Sequence, residues 1–185
     1  MRQLPAFATT RRAGLRFALG AAAAALLPTP ARAAYVVRPW PAGKPVPTLD
    51  LADLDGKRWT LAAFAGQVVV LNFWATWCEP CRAEMPSLDA LGARHRDAGL
   101  AVVAVNYRET AALIRKFFEK VPLRATLLLD PDGDAAAEWT PRVFPSTVLI
   151  GRDGMPTATV LGDLDWASPA ARELVEPMLA RPRKG

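Results

Sequence analysis

Cysteine and histidine are scarce in this chain: two Cys and one His among 185 residues. A tetrahedral zinc site needs four such ligands, so Cys78-Glu79-Pro80-Cys81 and His95 cannot assemble one alone. A structural disulfide is disfavoured, because a chain of this length buries a core without staples and one short loop constrains the unfolded state little. Long apolar runs are also missing. The longest, about Phe17 to Leu27 and mostly alanine, falls short of the roughly 20 residues that span a hydrocarbon core. Acidic residues are absent from positions 1–33, which hold Arg2, Arg11, Arg12, Arg16 and Arg32. Without those five arginines, the 23 basic residues of the chain fall level with its 18 acidic ones. The basic charge thus belongs to the leader, and the electrostatic case for nucleic acid as a partner falls away.

The leader has the three parts of an export signal: a basic start, an apolar stretch, and Ala31-Arg32-Ala33 as a small-x-small cleavage site. Thr10-Arg11-Arg12-Ala13-Gly14-Leu15-Arg16 resembles the twin-arginine signal, with Gly14 where Phe is usual; the general secretory route is the alternative. Cleavage after Ala33 is expected rather than an uncleaved anchor, and no cysteine follows the apolar stretch to carry a lipid.

Residues 34–47 contain Pro39, Pro41, Pro45 and Pro47 with Gly43, which predicts an extended linker. A single domain is expected over 48–182. It opens with a hairpin in which Leu49-Asp50-Leu51 and Arg58-Trp59-Thr60-Leu61 flank the turn dipeptide Asp55-Gly56. Val68 to Trp74 is a β-branched and aromatic run with little alternation, the pattern of a strand buried on both faces. Helical spacing of Met85, Leu88 and Leu91 predicts a helix over 80–98. A strand over 100–105, a helix over 108–120, a strand over 126–129 and a short helix over 134–139 follow. Val148 to Ile150 and Thr157 to Leu161 read as a hairpin around Asp153-Gly154, and 170–180 as a closing helix weakened at Pro177. This order is that of an α/β sandwich on a mixed sheet.

The densest signal is Asn72-Phe73-Trp74-Ala75-Thr76-Trp77-Cys78-Glu79-Pro80-Cys81, where a buried strand runs into a helix at the cysteine pair. Two intervening residues at a helix start let the sulfurs close a small disulfide ring and reopen it. At the helix N-terminus the unpaired amides favour a thiolate on Cys78, the expected attacking sulfur. Cys81, one turn further in, is expected to resolve the mixed disulfide. Pro80 suits the first turn, where its missing N–H costs nothing.

Asn72 to Cys81, Val143-Phe144-Pro145-Ser146-Thr147 and Gly151-Arg152-Asp153-Gly154 together resemble thioredoxin-fold proteins of the periplasmic TlpA/ResA group, over roughly residues 45–180. The resemblance implies a thioredoxin-like three-layer sandwich with an N-terminal β-hairpin extension and a central helix-strand insertion. It implies a cis-proline at Pro145 facing the cysteines and holding the backbone of Phe144 beside them for an incoming chain. A small or β-branched residue is usual before that proline, so Phe144 is a departure that bears on partner preference. Glu84 corresponds to the glutamate of the CEPCxxE pattern, a candidate proton carrier that would raise the thiol pKa values and favour a reducing role; an exposed helix glutamate is the alternative. Thioredoxins place a buried Asp where this chain has Asn72. Trp77, Glu79, Pro80 and Phe144 are expected at the partner-binding rim, Trp74 in the core, His95 in solvent, and Asp165-Trp166 in a packing role.

The activity implied is that of an exported, periplasmic thiol-disulfide oxidoreductase, a monomer without cofactor beyond the Cys78–Cys81 disulfide and without a metal. Reduction of partner-protein disulfides is favoured, with an apocytochrome c or a copper-site protein as substrate and a membrane electron donor of the DsbD/CcdA type. A disulfide-introducing oxidase stays open, although strong oxidants often carry His where this chain has Glu79-Pro80. A copper chaperone also stays open, although copper carriers on this fold usually separate the cysteines by three residues and add a distant His. Peroxidase chemistry is disfavoured, since the Pro and Arg that surround a peroxidatic cysteine are not in place.

Overall fold

The computed structural model describes residues 35–121 and 123–180. The leader and its cleavage site lie outside the described residues. Eight strands form one sheet: β1 (Tyr35–Pro39), β2 (Asp50–Asp53), β3 (Arg58–Thr60), β4 (Val68–Trp74), β5 (Leu100–Tyr107), β6 (Thr126–Asp130), β7 (Ser146–Ile150) and β8 (Pro156–Gly162). Their spatial order is β1-β8-β7-β4-β5-β6-β2-β3. Among the described residues four α-helices accompany them, α1 (Glu79–His95), α2 (Ala111–Phe118), α3 (Asp134–Trp139) and α4 (Pro169–Leu179).

β4, β5 and β6 are parallel neighbours joined through α1 and α2, while β7 returns antiparallel on the other side of β4. β4 is thus the buried centre of the sheet, which explains its seven enclosed residues. Its pleat divides them between two cores. Val68, Val70 and Trp74 join one with Leu88 and Leu91 of α1, Ile114 of α2 and Val175 of α4. Val69, Leu71 and Phe73 join the other with Trp139 of α3. The architecture is the thioredoxin-like three-layer sandwich on a mixed sheet.

The β2–β3 hairpin forms where expected and adds to the β6 edge, through Ala52 opposite Leu129. One feature differs. Residues 35–39, read as linker, pair antiparallel with β8 from Tyr35 opposite Gly162 to Pro39 opposite Ala158. An outer position is what a proline-bearing strand can occupy, because the N–H that Pro39 lacks is not needed on an open edge. The sheet therefore begins well before residue 48.

Candidate active site

Cys78 and Cys81 form a disulfide with a Cα–Cα separation of 5.3 Å. β4 ends at Trp74, a short turn follows, and Cys78 caps α1. With the Cys78 backbone extended, the Cys81 N–H of the first turn donates to Cys78 Sγ at 3.3 Å. Pro80 occupies the first turn. Cys78 keeps a trace of exposure, 5%, whereas Cys81 has none. The Phe144–Pro145 bond is cis, directly before β7, and β7 pairs with the strand that leads to the cysteines.

One helical turn beyond Cys81 lies a closed polar cluster. Glu84 is 3% exposed, so the alternative of a surface glutamate is overturned. Asn72 of β4 donates to Glu84 Oε1 at 2.7 Å and to Thr147 Oγ1 at 2.9 Å. The Trp166 indole N–H donates to Glu84 Oε2 at 3.2 Å, and the Leu164 amide reaches the same oxygen at 3.4 Å. Ser87 ties the cluster together, donating to the Glu84 carbonyl and accepting from the Trp166 amide. Burial pushes the Glu84 pKa up to about 7; the donors Asn72, Trp166 and Leu164 oppose the shift, and the nearby charge of Asp163 adds to it. Trp166 is therefore more than packing. Its donor and acceptor lie 82 residues apart, and no local pattern links them.

Glu109, in the loop between β5 and α2, went unnoticed in the sequence. Its carboxylate accepts from the Thr76 amide at 2.7 Å, the Thr76 hydroxyl at 2.5 Å and Asn106 Nδ2 at 2.7 Å. It thus holds the turn that precedes Cys78 against the end of β5. An acid beside Arg108 and Thr110 reads as a solvated loop residue, and only the parallel pairing of β4 with β5 brings it here.

An aromatic row lines the outer face. Trp77 is 63% exposed, and its ring meets Phe144 edge-on at 5.9 Å. Phe144 in turn lies 4.9 Å from Tyr107. Exposed Trp77 thus rests on a half-buried Phe144, while Trp74 is fully buried against Phe117 and Phe118. Glu79 is exposed and pairs with Arg82 at 2.9 Å. His95, expected in solvent, is half-buried, and its Nε2 is enclosed with no hydrogen-bond partner among the described residues. Those residues contain no group of three His, Cys, Asp or Glu able to hold a metal, and no helix long and apolar enough to cross a membrane.

A disulfide of CxxC spacing that opens a helix, at the end of a central parallel strand and beside a cis X-Pro bond, defines a thiol-disulfide oxidoreductase of the thioredoxin fold. Comparison with known proteins agrees. The profile of the AhpC/TSA family matches residues 42–155, and the chain belongs to that family. It is 31% identical over 121 residues to the thiol-disulfide oxidoreductase ResA of Bacillus thuringiensis subsp. konkukian, covering 65% of this chain and 70% of that one. A Chlorobium tepidum structure assigned as the thiol:disulfide interchange protein DsbE superposes with a TM-score of 0.68 at 30% identity, over 72% of this chain and 94% of that one. A secreted thiol-disulfide isomerase from Corynebacterium glutamicum shares the fold, with a TM-score of 0.70 at 23% identity over 83% of this chain and 96% of its own.

Proposed function

We propose that the protein is an exported reductase of partner-protein disulfides, in which Cys78 attacks, Cys81 resolves and Glu84 takes up the proton that Cys81 gives. The observation that carries this reading is the enclosed Glu84 carboxylate, three residues beyond Cys81 on the same helix, with a pKa raised to about 7. In the reduced protein the Cys78 thiolate attacks one sulfur of the partner disulfide, forming a mixed disulfide and expelling the other sulfur as a thiolate. Cys81 then gives its proton toward Glu84, and its sulfur attacks Cys78 Sγ. The Cys78–Cys81 bond re-forms, the second partner sulfur leaves as a thiol after protonation, and two electrons have passed to the partner.

Cys78 is suited to the first attack by its residual exposure and by the Cys81 amide aimed at its sulfur. Cys81, without exposure, is suited to the second. A carboxylate near the sulfurs disfavours thiolate, which withdraws the stabilisation of the reduced form that makes strong oxidants. The direction is therefore reducing. Pro145 and the Phe144 backbone receive the incoming chain as an added strand, with Trp77, Glu79 and Pro80 at the rim.

The leader directs the chain to the periplasm, where it acts as a monomer. There a membrane donor of the DsbD/CcdA type recharges the pair, because that compartment is kept oxidising. The cysteines of an apocytochrome c or of a copper-site protein are suitable substrates. Trapping tests the assignment of roles. The Cys81→Ser variant, expressed in cells and quenched with acid, is expected to accumulate mixed disulfides through Cys78, and Cys78→Ser is not. Equal trapping by both variants, or by neither, would contradict it.

A further inference from the structure

An open groove of about 320 Å³ is bordered by Thr76 and Arg82, the residues that flank the cysteine pair along the chain. Leu113 and Phe117 of α2 and Thr76 of the preceding turn line it, with Arg82, Lys116 and Lys120 around them. Leu113, Lys116, Phe117 and Lys120 follow helical spacing, so one face of the α2 segment carries apolar and cationic side chains together. Ile114 is the residue that α2 buries in the core, whereas Leu113 stays 45% exposed. Arg82 pairs with the exposed Glu79. Neither Lys116 nor Lys120 has an ion-pair partner among the described residues.

We propose that this groove docks the segment of the substrate protein next to its reacting cysteine, and that it selects a segment with an apolar side chain followed by carboxylates. The proposal rests on the reading that Cys78 exchanges with a partner protein. Position supports it: Thr76 stands two residues before Cys78, and Arg82 directly follows Cys81. A chain bonded to Cys78 advances about 3.3 Å per extended residue, so a few residues reach the groove. The exposed apolar floor takes the apolar side chain. The two unpaired lysines attract carboxylates, in a region where charge decides encounter and orientation more than area does.

Two synthetic peptides test this. Each carries one cysteine as a mixed disulfide with 2-nitro-5-thiobenzoate and, three to five residues away, either Leu-Glu-Glu or Leu-Lys-Lys. When the reduced protein reacts, the Cys78 thiolate displaces the coloured aryl thiolate, and Cys81 then releases the reduced peptide. Bis(2-hydroxyethyl) disulfide is the uncharged control. The acidic peptide is expected to react on the order of tenfold faster than the basic one at low salt, with the ratio falling toward one in 1 M NaCl. Lys116→Glu with Lys120→Glu is expected to invert the preference while leaving the control rate unchanged. Both lysines are exposed, so the double variant keeps the fold. Equal rates for the two peptides, or a preference that survives charge reversal, would overturn the docking proposal with the control reaction intact. No reaction with any of the three disulfides would overturn the exchange reading, and the docking proposal with it.

Discussion

Glu84 and Glu109 each accept three hydrogen bonds close to the cysteine pair, but their surroundings differ. Glu84 is enclosed between β4, α1 and the segment before α4, and two of its three donors lie beyond 3 Å. Desolvation outweighs those donors, and its pKa rises to about 7. Glu109 is half-buried and holds all three of its donors within 2.7 Å. Both oxygens are committed to Thr76, so it fixes the turn ahead of Cys78. The same side chain thus becomes a group that exchanges a proton near neutrality where burial wins, and a clamp where short donors surround it.

The largest expected effect follows from the raised pKa. Between its ordinary value of 4.5 and about 7, Glu84 keeps its proton in the folded chain and has lost it in the unfolded chain. The folded state then binds more protons, so stability falls as pH rises through this window, by roughly 3 kcal/mol in all. Below about 4.5 and above about 7 the contribution is level. Denaturant unfolding across pH 4 to 8 should show this decline in the native chain and lose it in Glu84→Gln. A decline that persists in the variant would mean that another group titrates.

Glu109→Ala comes next. It leaves the Thr76 amide and the Asn106 side-chain amide without their acceptor, at a cost of about 2 kcal/mol. The rate of attack by Cys78 should fall in parallel, whereas Glu109→Gln, which keeps one acceptor, should recover part of both. If Glu109→Ala changed neither midpoint nor rate, the clamp would not hold the turn. Trp166→Phe removes one donor from the Glu84 anion, so the pKa of that group should rise further while stability drops by about 1 kcal/mol. Titration of the carboxyl by NMR reads the direction, and a lowered value would refute the role given to the indole. Trp77→Ala should alter stability by less than about 0.5 kcal/mol, because the ring is exposed, yet raise KM for protein disulfides. A large loss of stability would place Trp77 in the fold rather than at the partner surface.

Much of this was legible in the residues themselves. The β-branched run of β4 marked the sheet centre, and Cys78 with Pro80 marked the start of α1, because each depends on neighbours a few positions away. The cis bond at Pro145 came from family resemblance alone. Contacts made across the sequence stayed hidden: Trp166 with Glu84, Glu109 with Thr76, and Tyr107 behind Phe144. Each joins distant segments that only the finished sheet brings together. Pro39 argued against a strand, and it was the open edge of the sheet that made one possible.

The reduction potential of the Cys78–Cys81 pair, measured against glutathione or dithiothreitol buffers at pH 5 to 9 in the native chain and in Glu84→Gln, tests the central claim most directly. For the native chain the account expects a value below about −200 mV at pH 7, with a dependence on pH that bends near 7 and straightens in the variant. A value near or above about −120 mV, the range of a strong oxidant, with no difference between the two proteins, would contradict it.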